Sequence, residues 1–493
     1  MRLVFRCDGD GRIGGGHVMR CLTLAEAARA RGWKAGFVMA EGGFGDRVRA
    51  AGFSVAPIPP GSRGDDPDAP PHAGWLSAPW EADAAVTAAA AAGADWLIWD
   101  HYGLDARWVA AVGARATMAL DDLDDRVLGS DVLLDLTRLS GRARHGAPVR
   151  LTGPAYAPLR PEFARHRDAA LARRGGPVRR VVVMPGLADA AHLAPAALDA
   201  LGSLPELTAE VVMGAASQSR AATEARIGRH ALTLDAHDVA ERMVRADLCV
   251  GASGMTNWER CALGLPTVAV AVADNQRPGL EGLAAAGAVV PLDLEAARDP
   301  VRLTDAIREA ARRAPELSRA AATLCDGRGA DRVLDALDWR FRPVTEADTD
   351  LLFRWRDRPA IRAASHDDAP LDLATHHAWV AHAAARTDGV WTIYEEGGRA
   401  LGHANARRRE DDWLWSFYLA EPSPPGTGTR MMRRFLDHLA LAGARRVTGE
   451  VKTDNAASAA LHRRLGFAQA DARPGALVFA RTLGERGPEE DAP

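Results

Sequence analysis

Two successive series of short apolar runs alternate with Ala- and Arg-rich helical patterns. A stretch rich in Trp and Arg follows, whose strands read as antiparallel. Together these predict an α/β chain of two Rossmann-like lobes followed by a mixed α+β domain. The length of 493 residues agrees, because a single hydrophobic core stops growing well below it. Hydrophobic residues make up 47% and charged residues 26%, enough apolar material for several globular cores.

The first series has strand candidates at residues 3–5, 36–39, 96–99, 117–120 and 132–134, with a helix at 17–31 after the first of them. Residues 59–74, rich in Pro, Gly and Asp, read as a long surface loop. The second series begins after the basic, glycine-containing segment 172–177, with strands at 179–184, 210–213, 248–250 and 267–270. Ligands of such lobes sit at the carboxyl ends of the strands, so two facing lobes enclose a cleft there. The expected boundaries are 1–170 and 171–328 for the lobes, 329–340 for a linker and 341–483 for the third domain. Within that domain 390–395 and 413–419 are strand candidates. Residues 484–493, GERGPEEDAP, have the composition of a disordered tail.

A net charge of -4 gives no electrostatic reason to expect nucleic acid or an anionic membrane as partner. Anionic ligands must then be held by local features such as helix N-termini. Cys7, Cys21, Cys249, Cys261 and Cys325 are scattered without a CxxC pair, which suggests reduced thiols and a cytoplasmic setting. The opening MRLVFRCDGDGRIGGGH reads as a strand entering a glycine loop, not as a signal peptide. No apolar run approaches the roughly 18–20 residues that span a bilayer.

In GGGHVMRCLTLAEAARARG, His17 falls where strand, loop and helix meet. Gly14, Gly15 and Gly16 let backbone approach a ligand closely, and the helix that follows starts with free N–H donors. Imidazole exchanges protons near neutral pH, so His17 is a candidate base; capping the helix is its structural alternative. The overlapping GxGxxG at 9–14 lacks the acidic partner of a dinucleotide site.

In GASGMTNWERCALGLPTVAVAVADNQ, a strand ends at Val250 and Gly251, Ser253 and Gly254 form a turn. Met255 and Thr256 then lead into a helix with Asn257 and Glu259 in its first turn. This suits a diphosphate at the helix start and a carboxylate accepting ribose hydroxyls.

GGGHVMRCLTLA, WDHYGLD, DDLDDR and GASGMTNWERCALGLP, in this order over residues 1–325, resemble the UDP-sugar hydrolase family of the pseudaminic acid pathway. That family is related to two-lobed GT-B glycosyltransferases. The resemblance implies hydrolysis of UDP-2,4-diacetamido-2,4,6-trideoxy-β-L-altropyranose to UDP and free sugar, without a metal. The base would be His17, activating water for inverting attack at the anomeric carbon. Gly251, Ser253, Gly254, Met255, Thr256 and Glu259 would hold UDP, and Asn257, Asn275 and Gln276 would reach phosphate or sugar. Asp8, Asp100 and Tyr102, at strand ends of the first lobe, would bond the acetamido groups. The acidic run Asp121, Asp122, Asp124 and Asp125 lacks the glycine and distal glutamate of a calcium loop and reads as a solvated loop with one or two substrate contacts.

From residue 341 onward three pieces stand out: RWRDRPAIRAAS followed by His376 and Trp379; a strand running into a Gly426-Thr427-Gly428 turn and an amphipathic helix; and GEVKTDNAASAALHRRLGF. They resemble the GNAT-type N-acetyltransferases, in the branch acting on nucleotide-linked amino sugars. The resemblance implies acetyl-CoA as co-substrate, with its pyrophosphate on Gly426, Thr427, Gly428 and Thr429 and its pantetheine near Leu419, Asn455 and Ser458. Ser423 stands where the family usually has Gln or Arg. His462 stands where many members carry a tyrosine general acid, a role a histidine could also fill. The acceptor implied is the 4-amino group of a UDP-linked sugar, so the product of this half would be the substrate of the first.

Two other readings share these patterns. One is a GT-B glycosyltransferase with a UDP-sugar donor. The other is a hydrolase whose acetyltransferase-like half binds without catalysing.

Overall fold

The computed structural model describes residues 1–62, 64, 66–137, 149–365, 368–409 and 412–483. It divides into two compact units, Met1–Asp335 and Ala336–Pro493. The tail expected at 484–493 lies outside the described residues.

The first unit holds two parallel sheets. One comprises β1 (Arg2–Cys7), β2 (Lys34–Ala40), β3 (Ser54–Ile58), β4 (Trp96–Asp100), β5 (Thr117–Leu120), β6 (Val132–Asp135) and β7 (Val149–Thr152), in the order 3-2-1-4-5-6-7. Every neighbouring pair is parallel. Strands buried on both faces read as continuous apolar runs, and WLIWD of β4 is buried throughout. The order reverses at β1, so the loop after β1 opens at a topological switch point.

The second sheet comprises β8 (Arg180–Met184), β9 (Thr208–Met213), β10 (Ala231–Leu234), β11 (Leu248–Ala252), β12 (Thr267–Ala271) and β13 (Val290–Asp293), in the order 10-9-8-11-12-13 and again parallel. The two expected Rossmann-like lobes are therefore present. Their boundary differs from the expected 170/171, which falls inside the helix Pro161–Arg173. Arg167 of that helix donates to the carbonyls of Ala262, Ala322 and Cys325, tying it to the second lobe. Residues 329–340 are not an irregular linker: they form the helix Gly329–Leu337 and the start of the next strand. Arg31 of the first lobe grips this helix through Asp331 at 2.9 Å and Asp335 at 2.6 Å.

The second unit is a mixed sheet of β14 (Trp339–Pro343), β15 (Gly389–Glu396), β16 (Arg399–Arg409), β17 (Asp412–Leu419), β18 (Arg446–Lys452), β19 (Ala468–Arg473) and β20 (Ala476–Thr482), ordered 14-15-16-17-18-20-19. Its strands are antiparallel except β17 and β18, which are parallel and paired only at Trp413–Val447 and Leu414–Thr448. Alternation along β17 separates two cores. Trp413, Trp415, Phe417 and Leu419 pack with Met431, Phe435 and Leu439 of the helix Thr427–Leu441. Tyr418 and Ala420 join Leu352 and Val380 from the helices Thr349–Arg356 and Leu373–Ala385. Among the described residues no helix is long and apolar enough to cross a membrane.

Candidate functional site

The loop after β1 is a turn organised by Asp10, whose carboxylate accepts the amides of Arg12 and Ile13 while its carbonyl accepts that of Gly14. Gly14 needs a left-handed φ of 82°, and a β-carbon on Gly15 would lie 2.9 Å from the Phe44 ring, so these glycines meet steric demands of the turn. The helix Gly16–Ala30 carries His17, only 8% exposed, in its first turn.

His17 Nδ1 lies 2.5 Å from Asp100 Oδ1, at the carboxyl end of β4. Arg20, one helical turn beyond His17, forks onto the same carboxylate at 2.5 and 2.7 Å. Burial by itself pushes the Asp100 carboxyl up, but the Arg20 charge and the hydrogen bonds from Arg20 and His17 outweigh it and hold the group well below the carboxylate range. An ionised Asp100 has no proton to offer. His17 must then donate from Nδ1, which leaves the Nε2 lone pair as its basic site.

The network continues outward. Arg20 Nη1 lies 3.6 Å from Asp122, which accepts the Tyr102 hydroxyl. Tyr102 stands edge-on to His17 with ring centroids 4.6 Å apart, and Trp75 flanks both, at 5.6 Å from Tyr102 and 6.2 Å from His17. GGGH, DHYG and the acidic run thus meet at one place. Asp100 is completely buried behind His17, so it serves the imidazole and not a sugar amide as expected. Asp8 is likewise enclosed: Arg6 reaches it at 2.8 Å and the Ala40 amide at 2.7 Å, which removes it from sugar contact. Of the acidic run, Asp121 is buried and accepts from Arg126 at 2.6 Å, Asp122 and Asp124 are partly exposed, and Asp125 is exposed. Among the described residues no group of three or more His, Cys, Asp or Glu is arranged to hold a metal ion.

In the second lobe, the turn after β11 leads into the helix Thr256–Ala262. Ser253 and Asn257 are buried and joined at 2.8 Å, and Asn257 accepts from Arg260, which also holds the Ala252 carbonyl at 2.8 Å. Asn257 is therefore an internal brace of the turn and not a ligand contact. Gly251 lies so close to Arg260 that a β-carbon would sit 2.4 Å from Nη1, whereas Gly254 is exposed and a β-carbon there would come no nearer than 3.9 Å to Gln276 Nε2. Gln276 accepts the Val272 amide through Oε1, and Asn275 is exposed in the same short turn after β12. Met255 and Thr256, at the helix start, are partly exposed. Burial raises the Glu259 carboxyl, opposed by Arg160 at 3.6 Å.

In the second unit, β17 and β18 part after Leu414 and Thr448, leaving Trp415–Leu419 without ladder partners on that side. Gly426, with a left-handed φ of 78°, ends the loop after β17 and starts the helix Thr427–Leu441. Thr427 Oγ1 bonds the Pro424 carbonyl at 2.7 Å and Thr429 accepts from Arg464 at 3.3 Å. Gly428 packs on Leu419, whose Cδ1 would be 3.3 Å from an added β-carbon. Ser423 turns inward to the Ala420 carbonyl. Asn455 caps the helix Ala456–Arg464 by accepting the Ser458 amide at 3.0 Å.

The general-acid role expected for His462 is not supported by its surroundings. It is 2% exposed, its Nδ1 lies 2.8 Å from the Ser458 carbonyl, and its Nε2 accepts from Trp415 at 3.0 Å. With both nitrogens committed and the ring packed among Phe467, Phe479 and Trp415, it is a core residue. Burial lowers its pKa, which opposes charging.

Sequence reasoning missed Arg20 and Trp75. The spacing of three between His17 and Arg20, which puts both on one helix face, was a usable signal for the first. Trp75, directly after the loop read as surface, had none.

No curated protein matches the chain. Among solved structures it is similar to MurG from Acinetobacter baumannii, 16% identical over 68% of this chain and 99% of that one, with a TM-score of 0.48. It is also similar to aminoglycoside acetyltransferase AAC(6')-Ib in complex with coenzyme A, 17% identical over 29% and 94%, TM-score 0.27. YncA from Salmonella typhimurium, a putative acetyltransferase with acetyl-CoA, is 20% identical over 31% and 99%, TM-score 0.26. Residues 339–468 match the acetyltransferase (GNAT) domain family, so the chain carries a GNAT domain at its C-terminal end, preceded by two parallel-sheet Rossmann-like lobes.

Proposed function

We propose that the chain acts twice on a UDP-linked amino sugar. The GNAT domain transfers acetyl from acetyl-CoA to the sugar's 4-amino group. The two-lobed unit then hydrolyses the UDP-linked 2,4-diacetamido-2,4,6-trideoxy sugar to UDP and free sugar. The observation that carries the second step is the Asp100–His17 pair, with the carboxylate on Nδ1 and the Nε2 lone pair left over.

His17 takes a proton from water as the oxygen bonds to the anomeric carbon, and the bond from that carbon to the UDP oxygen breaks with inversion. Asp100 stabilises the imidazolium as it forms. Gly254, Met255, Thr256, Asn275, Gln276 and Glu259 are the second-lobe groups offered to UDP. The altro configuration and the place in pseudaminic acid synthesis rest on resemblance to that hydrolase family. Five buried free thiols accord with a reducing, cytoplasmic setting.

The test is incubation with UDP-2,4-diacetamido-2,4,6-trideoxy-β-L-altropyranose alone. UDP release without an acceptor, lost in His17→Ala, is the expected result. Release only after a sugar acceptor is added replaces hydrolysis with glycosyl transfer. Free thiol released from acetyl-CoA by a UDP-4-amino sugar tests the other half.

A further inference from the structure

With His462 committed to the core, the proton chemistry of acetyl transfer needs another group, and the opposite face of β17 carries one. Four polar atoms there are buried without a hydrogen-bond partner: Arg356 Nη1, His376 Nε2, His403 Nδ1 and Tyr418 Oη. Orphaned buried polar atoms are rare, and four in one neighbourhood mark a place built to receive another molecule's polar groups. They are contiguous. His376 stacks on Trp379 with centroids 5.6 Å apart, Trp379 meets His403 at 6.1 Å, and His403 lies 5.0 Å from Tyr418. The Arg356 charge acts on both Tyr418 and His376.

Tyr418 belongs to the stretch of β17 that has left β18, so the cluster adjoins the opening of the sheet. His376 is only 6% exposed while Trp379, on the same helix, is 39% exposed, which makes the indole the wall between cluster and solvent. The Thr349 backbone hydrogen-bonds the His376 ring, and Nε2 is buried without a partner.

Resting on the acetyl-transfer reading above, we infer that this cluster receives a primary amine bearing neighbouring hydroxyl or carbonyl oxygens, with His376 Nε2 as the base that takes the amine's proton. The ammonium loses one proton to His376. The amine then attacks the thioester carbon, the C–N bond forms and the C–S bond breaks. The second N–H proton passes to the departing thiolate, and His376 returns its own to solvent. Arg356 and Tyr418 orient the acceptor through its oxygens. Burial lowers the His376 pKa and keeps the ring neutral and able to accept.

The full chain with His376→Gln, and separately His376→Asn, is assayed for thiol release across pH 6 to 10 with a UDP-4-amino-4,6-dideoxy sugar. Kanamycin and an N-terminal alanine peptide serve as further amines, and acetyl-CoA binding is the control for folding. The expected result is a loss of about 10²-fold in kcat/KM near neutrality, shrinking as pH rises and the amine deprotonates unaided, with acetyl-CoA affinity unchanged. Tyr418→Phe raises KM for the amine. A His376 variant that binds acetyl-CoA and keeps the wild-type pH profile overturns the assignment, as does an equal loss at every pH. Turnover of another amine but not the UDP-sugar overturns the substrate reading and leaves this one to the pH signature. No turnover of any amine overturns both.

Discussion

Asp100→Asn separates a carboxylate that works through His17 from one that touches substrate. In the native site His17 Nδ1–H donates to Asp100 Oδ1 at 2.5 Å. An asparagine can turn its amide N–H toward Nδ1, and the ring then carries its proton on Nε2, where the lone pair is needed. The same loss of tautomer control in serine hydrolases lowers kcat about 10⁴-fold, roughly 5.4 kcal/mol at 1.36 kcal/mol per decade. The substitution also takes from Arg20, buried and forked onto Asp100, its nearer ionic partner and leaves only Asp122 at 3.6 Å, so the melting temperature falls by several degrees and assays belong well below it. The readout is single-turnover UDP release without acceptor in wild type, Asp100→Asn, His17→Ala and the double variant. If Asp100 acts only through the imidazole, Asp100→Asn in the His17→Ala background costs no more than about threefold beyond His17→Ala alone. Multiplying effects in folded proteins would refute this reasoning and return Asp100 to a direct contact with the sugar.

Three further outcomes follow from local geometry. His462→Gln keeps acetyl transfer within a few-fold while lowering the melting temperature of the second unit, because Trp415 Nε1 and the Ser458 carbonyl lose partners at about 1–3 kcal/mol each; thiol release and calorimetry check this. Gly254→Asp sets a negative charge at the exposed turn offered to the diphosphate and raises the UDP inhibition constant at least tenfold, while kcat for acetyl transfer is unchanged. His403 is held by burial at about 4, below the ordinary value of 6.5, so the unfolded chain binds the extra proton between these pH values. Stability of the second unit therefore rises with pH across that window. Acidification from 6.5 to 4 removes on the order of 3 kcal/mol, a dependence that urea titrations find weakened in His403→Phe.

The candidate site was legible where residue type and spacing alone decide chemistry. His17 after three glycines, Tyr102 after β4 and the glycine turn after β11 could be named from the chain. What each carboxylate does could not. Asp100, Asp8 and Asp121 all close strands and all looked ready to meet a ligand. They are spent on Arg20, Arg6 and Arg126, and those pairings depend on side chains brought from other elements. His462 failed for the same reason: its second nitrogen is taken by Trp415, 47 residues away.

The amino-acid sequence by itself determined the class of each region and every interior strand of the two parallel sheets. Such a strand is covered on both faces, so it is mostly apolar, and that run is readable without a structure. The strands not foreseen in those sheets are β3, β7, β10 and β13, the four edges. An edge has one neighbour and a half-solvated face, so polar residues, and the proline of β3, are tolerated and the local signal fades. Only tertiary structure could decide those edges, the return of the helix Gly329–Leu337 to the first lobe, and the parting of β17 from β18. Each depends on free energy gained between segments far apart in the chain, which no local pattern records.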